Sequence, residues 1–384
     1  LFCGLAGYNI LCCDYNPTVA MEYTMWPDRR LLDLLKIDIP IIQAPMAGAN
    51  GSAMVIETST AGGLGSLPCA MLGAAKIRAE LGVIRQQTAN PININFFTHT
   101  PPDPDPSRDN AWRKRLSDYY IELGLDPETT APVVSRAPFD GTMCEIVEDT
   151  QPEVISFHFG LPEKSLLERV KAAGCKVLSS ATTAREARWL GDHGCDAIIA
   201  QGYEAGGHRG MFLTENVATQ AGTMALVPQV VDAVSVPVIA AGGIADGRGI
   251  AAAFALGASG VQIGTSYLFT PESLVTDIHR SALKEAKDDH TALTNLFSGR
   301  PARGIMNRVM REVGPMSDTP TAFPTAGAAL APLKAAAEAN GNTDFTSLWS
   351  GQAARLGREV GAADLTRQLA DDALVRLRAI IPTR

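Results

Sequence analysis

Residues 154–202 read VISFHFGLPEKSLLERVKAAGCKVLSSATTAREARWLGDHGCDAIIAQG, and this stretch decides the fold. Three short apolar runs, Val154–Phe159, Lys176–Ala181 and Ala197–Gly202, alternate with two amphipathic segments, Ser165–Ala173 and Thr183–Gly191. The runs are continuous rather than alternating, which is the pattern of parallel strands covered on both faces. The helical segments end at Gly174 and Gly194, and a further one, Asp246–Leu256, ends at Gly257. Glycine accepts the positive φ of a helix C-terminus at little steric cost. Thr182 and Thr183 stand where a hydroxyl caps the helix that follows Lys176–Ala181.

Outward from this core the rhythm repeats. Pro40–Met46, Gly63–Pro68 and Pro91–Phe97 precede it, and Val236–Gly242 and Gly260–Leu268 follow it. Eight strand–helix repeats over about 230 residues predict an α/β fold, a closed (β/α)8 TIM barrel. A doubly wound open sheet is the alternative, disfavoured because no GxGxxG follows the first strand. The barrel is expected over residues 26–270. An insertion at 101–150 opens with PPDPDP, continues as a polar helix (Arg108–Leu123) and returns through proline. Residues 271–384 read as mostly helical, and with the insertion they form a cap over one mouth. Residues 1–25 read as a leader that is disordered or spurious, with the start near Met21 or Met25. Leu1–Ala20 lacks the lysine or arginine of a secretory signal, and an unusual export signal is the alternative.

Composition narrows the function classes. The 384 residues carry 46% hydrophobic and 19% charged side chains, enough apolar material for a large core. The net charge of −8 and the absence of a basic block argue against a nucleic-acid or anionic-membrane partner. No apolar run reaches the roughly 18 residues of a membrane span. The seven cysteines (Cys3, Cys12, Cys13, Cys69, Cys144, Cys175 and Cys195) include no CxxC pair and read as reduced thiols of a cytoplasmic protein. No HxH or HExxH occurs, so no metal is expected, and no GxSxG marks a hydrolase serine.

Barrel active sites lie at the C-terminal ends of the strands. There, Gly242, Gly243 and Gly264 would let backbone N–H groups approach a phosphate, with Thr265 adding a hydroxyl; ordinary tight turns are the alternative. Gln43, Asn95 and Gln201 are amides at strand ends, suited to a ring edge of alternating N–H and C=O such as a flavin pyrimidine. Asn93 shares the third strand with Asn95. His208 sits in a glycine-rich loop, Gln201–Gly210, and is the candidate catalytic imidazole. His158, between Phe157 and Phe159, fits either a pocket wall or burial.

Several of these stretches carry a resemblance. Ile42–Met46 (IQAPM), Phe157–Gly160 (FHFG), Ser179–Thr183 (SSATT), Gln201–Gly210, Ala240–Ile244 (AAGGI), Gln262–Thr265 (QIGT) and Ser298–Gly304 (SGRPARG) resemble, in order, the motifs of class I nitronate monooxygenases. The likeness runs from about Trp26 onward. It implies an FMN-dependent barrel enzyme that oxidises alkyl nitronates, notably propionate 3-nitronate, with O2 to a carbonyl compound and nitrite, a detoxification needing neither metal nor reduced nicotinamide. It implies FMN contacts at Met46, Asn95, Gln201, Gly206, Gly207, Gly242, Gly243, Gln262, Ile263, Gly264 and Thr265. It makes His208 the active-site histidine and places His158 and Met46 against the substrate. Where bacterial relatives present tyrosines, this chain has Ile278-His279 and Phe323-Pro324. The implied partners are a small anionic nitronate and O2, with a monomer or homodimer as the assembly. The rival readings are an FMN-dependent enoyl or quinone reductase using NAD(P)H, a flavin-free barrel acting on a phosphorylated metabolite, and a noncatalytic flavin-binding scaffold.

Overall fold

The computed structural model describes residues 26–129 and 136–380. The expected leader lies outside them, as do Cys3, Cys12 and Cys13. Among the described residues eight strands form one parallel sheet: β1 (Ile41–Gln43), β2 (Gly65–Pro68), β3 (Ile92–Phe97), β4 (Val154–His158), β5 (Lys176–Ala181), β6 (Ala197–Gln201), β8 (Val238–Ala241) and β9 (Gly260–Ile263). The sheet order is β1-β9-β8-β6-β5-β4-β3-β2. Closure comes from a parallel bridge between Ile42 and Leu64. Across it the Gln43 N–H donates to Leu64 O at 2.9 Å and the Leu64 N–H to Ile41 O at 3.0 Å. The sheet is thus a barrel and not an open doubly wound array.

The strands are buried almost throughout because helices cover the outside and side chains fill the inside. Thr183 caps the helix Ala184–Asp192, its Oγ1 accepting from the Glu186 N–H at 3.1 Å. Thr182 does not cap. Its N–H and hydroxyl both donate, at 2.7 Å, to the buried Glu186 carboxylate. The other Glu186 oxygen receives the N–H groups of Phe212 and Leu213 at 2.7 and 3.1 Å. This carboxylate staples the fifth turn of the barrel to the loop beyond β6.

Three boundaries differ from the sequence reading. The last barrel strand ends at Ile263, and Thr265–Phe269 forms a 3-10 helix. The insertion ends before residue 150. Helix Gly141–Thr150 is capped by Asp140 and packs against helices Ala74–Gln87 and Lys164–Ala172, so it belongs to the barrel ring. Its Cys144, Ile146 and Val147 are buried. The C-terminal region is not all cap. Helix Ala362–Ile380 packs on helices Gly247–Ala255 and Ser52–Thr60 and fills the last gap in the ring. Gly247 permits this approach, since a Cβ there would lie 2.5 Å from the Asp372 carbonyl carbon.

The cap has its own core. Trp112, Leu116, Tyr119 and Tyr120 of helix Pro106–Glu122 pack with Leu330, Leu333 and Phe345. The Trp112 Nε1–H donates to Ala326 O at 3.0 Å and the Tyr120 hydroxyl to Ala329 O at 2.7 Å. A small antiparallel sheet joins cap to barrel, with strands β7 (Gly207–His208), β10 (Thr291–Thr294) and β11 (Ala302–Ile305) in the order β10-β11-β7. Strands of two to four residues are too short to show a period in the sequence. The described cysteines are free and buried, and burial pushes the Cys175 thiol up to about 12.

Gly65 begins β2 where the strand passes helix Ser52–Thr60, and a Cβ there would stand 2.3 Å from Val55 O. Gly65→Ala is expected to destabilise the protein by about 1–3 kcal/mol, the cost of overpacking a close-packed interior. A lowered urea midpoint with an unchanged slope checks this; an unaltered midpoint refutes it.

Candidate active site

The C-terminal ends of the barrel strands and the cap enclose a cavity of about 420 Å3. Met46, Asn95, His158, Gln201, Gly206, Gly207, His208, Gly242, Gly243, Gln262, Gly264 and Thr265 all line it. Ile263 does not. Strand residues alternate inward and outward, and the Ile263 side chain lies in the hydrophobic core while its carbonyl accepts the Ala44 N–H at 2.8 Å. Gln43 is also outside the lining. Its Oε1 accepts the Ser66 N–H at 2.9 Å and its Nε2 donates to Ala44 O. Asn93 is fully buried and donates to Ser66 and Ser156.

At one end the N–H groups of Gly243, Gly264 and Thr265 make no hydrogen bond among the described residues. Gly243 holds φ +70, a region open to glycine at no steric penalty. Thr265 starts the 3-10 helix, and its Oγ1 accepts the Gly351 N–H at 2.9 Å, leaving the hydroxyl proton free to donate. Unpaired N–H groups converging after β8 and β9 form a cradle for an anion. Gln262 adds a buried Oε1 with no hydrogen-bond partner. Asn95 donates to the Ser156 carbonyl and hydroxyl at 3.1 and 2.9 Å, and its Oδ1 accepts nothing among the described residues. A phosphate-tailed ring with N–H and O–H donors fits this set: open donors at the tail, open acceptors along the body.

Gln201 faces the cavity, but both ends of its amide serve the loop. Its Nε2 donates to His208 O at 2.9 Å and its Oε1 accepts the Gly210 N–H at 2.7 Å. His158 is engaged in the same way. Its Nε2 reaches His208 O at 3.2 Å and its Nδ1 reaches Ser180 Oγ at 3.1 Å. These hydrogen bonds tie both side chains to the backbone of the loop. Next to His158, Phe159 adopts φ +76, which costs a non-glycine residue about 1–3 kcal/mol and recurs at functional sites. It joins Phe97 and Phe323 in an aromatic cluster around the imidazoles.

His208 is held from both sides. Its backbone pairs with Ala302 of β11, and its Nε2 lies 2.9 Å from Ser298 Oγ. The Ser298 hydroxyl donates to Arg300 O at 3.2 Å, so the ring carries its proton on Nε2 and offers Nδ1 as an acceptor. Its ring stands 5.4 Å from Phe323 and 5.5 Å from Trp349. Burial pushes the His208 pKa well below the ordinary value, and Arg136, His158, Arg300 and His99 push in the same direction. His208 is therefore neutral at pH 7. His279 lines the cavity, with Nε2 3.1 Å from Trp349 O; Phe323 touches the imidazole cluster without lining the cavity. Ser180, from the SSATT stretch at the end of β5, also lines it; Arg136, Trp349, Ser350 and Gly351 line it too and carry no local signal, because distant segments deliver them.

The profile of the family described as Nitronate monooxygenase matches residues 28–372. The chain belongs to the nitronate monooxygenase family. Like its relatives in that family it is an oxidoreductase. It is 42% identical to "Nitronate monooxygenase" of Pseudomonas aeruginosa over 349 residues, covering 89% of this chain and 98% of that one. Among solved structures it resembles nitroalkane oxidase from Streptomyces ansochromogenes, with a TM-score of 0.83 and 35% identity over 92% of this chain and all of the other. It also resembles FabK from Thermotoga maritima, with a TM-score of 0.68 and 26% identity, covering 93% of this chain and 100% of that one. No helix among the described residues is long and apolar enough to cross a membrane.

Burial holds His99, His158 and His279 at a pKa of about 4 in the fold. The unfolded chain binds these protons below about 6.5. Stability from the neutral rings is thus whole above pH 6.5 and is lost as pH falls through about 4. Urea midpoints at pH 7.5, 5.5 and 4.5 should decline in that order, and a flat series contradicts the assignment.

Proposed function

We propose that this enzyme oxidises alkyl nitronates, propionate 3-nitronate and similar compounds, with O2 to a carbonyl compound and nitrite, with FMN as cofactor and detoxification as the purpose. The observation that carries the reading is His208: a neutral imidazole on the cavity wall whose influential titratable neighbours are all basic. Such a pocket favours an anion over a neutral molecule or a cation.

The cradle of Gly243, Gly264 and Thr265 would hold the FMN phosphate, while Gln262 Oε1 and Asn95 Oδ1 would accept from its N–H and O–H groups. FMN, when bound, supplies the electron-accepting chemistry that this chain's side chains lack. The chain's own residues do the rest. A nitronate has already lost its α-proton, so no base is needed to make it. Its negative charge offsets the surrounding cations and favours a proton on His208, which then donates to the nitro oxygens. Gln201, His158 and Ser298 keep the imidazole in place. Phe97, Phe159, Phe323 and Trp349 crowd water away from it.

The protein as purified is expected to be yellow and to form nitrite from propionate 3-nitronate while consuming O2, with no requirement for NADH. His208→Asn should keep its flavin spectrum and lose about 10²–10⁴ in turnover, the scale of a proton-transferring side chain. Unchanged nitrite release removes His208 from the chemistry. Rapid bleaching of the flavin by NADH, with no nitrite from the nitronate, points to a reductase instead.

A further inference from the structure

The cations around the site are mostly committed. Arg209 is fully buried and donates to Gly202 O, Gln201 O and Gln220 Oε1 at 2.6, 2.9 and 2.7 Å. Arg300 donates to Met211 O at 2.9 Å and lies over the Phe159 ring at 4.2 Å. Lys334, in the cavity lining, stands 3.9 Å from Glu338 Oε1. Arg136 is different. It lines the cavity, its Nε is buried with no hydrogen-bond partner, and no ion pair forms to it among the described residues. It is close enough to His99 and His208 to repel their protonated forms.

A buried guanidinium N–H without an acceptor is an unsatisfied state that a ligand oxygen can relieve. The guanidinium fork matches a carboxylate with two parallel hydrogen bonds, a geometry lysine cannot reproduce. One anionic group already has its partner in His208. Arg136, with its Nε lacking an acceptor among the described residues, stands on the wall of the same cavity.

We propose that Arg136 receives a second anionic group of the substrate, a carboxylate, so that the site selects nitronates carrying a carboxylate over those with a plain alkyl tail. The proposal rests on the nitronate reading and adds to it the residue that sets preference among nitronates.

The test uses the holoenzyme and two variants, Arg136→Met and Arg136→Lys. Nitrite formation is measured with propionate 3-nitronate and with propyl-1-nitronate, which lacks the carboxylate. The ratio of their kcat/KM values should fall about tenfold or more in Arg136→Met, through KM of the carboxylate substrate, and recover in part in Arg136→Lys. An equal loss on both substrates assigns Arg136 to folding or to cofactor support and overturns the proposal, as does an unchanged ratio. Calorimetric titration with 3-nitropropionate and 1-nitropropane separates this from the reaction. If the wild type forms no nitrite yet binds the carboxylate ligand more tightly, and Arg136→Met loses that preference, the nitronate reading fails and the role of Arg136 stands. If the wild type turns over nitronates without that preference, the role of Arg136 fails and the nitronate reading stands.

Discussion

The site depends on one carbonyl. His208 O receives the Gln201 amide at 2.9 Å and lies 3.2 Å from His158 Nε2, while the Gln201 carbonyl takes the Gly210 N–H. Beneath this knot Arg209 grips the carbonyls of Gln201 and Gly202. The loop after β6 therefore has its polar groups satisfied from inside the barrel, and the backbone under His208 is set before any ligand arrives. A buried network of this kind specifies one arrangement, because breaking any member strands the others. The ring itself is then set from the cap, by Ser298.

The same network explains the electrostatics. Taking two imidazoles and several guanidiniums out of water penalises their charged forms, and the nearby arginines lower the proton affinity of the imidazoles further. The fold tolerates this for Arg209 and Arg300, which are bound to main-chain carbonyls, Arg300 also lying over the Phe159 ring. What results is an imidazole whose named charged neighbours include no carboxylate. An anion beside it neutralises repulsion already built into the protein.

Division of labour between barrel and cap follows. The barrel supplies the N–H cradle and the pinned loop; the cap supplies Arg136, Ser298, His279 and the Trp349–Gly351 segment. Joining them are β7 and β11, where His208 pairs with Ala302, and the Gly351 N–H bond to Thr265. The aromatic cluster of Phe97, Phe159 and Phe323 closes the seam on the imidazole side.

Read alone, the chain determined its barrel, since eight apolar runs recur along it and the helical periods and glycine caps between them are local. It also marked the cradle, because Gly242-Gly243 and Gly264-Thr265 follow strands whose ends must meet. The likeness of spaced motifs singled out His208. Tertiary structure alone decided what those residues do. Gln201 lines the cavity and also staples the loop; Ile263 sits within a binding motif and points into the core. Helix Ala362–Ile380 looked like cap and completes the barrel, and Arg136 showed no pattern at all. Each of these depends on which distant segment comes to lie beside the residue, and no local period or spacing encodes that contact.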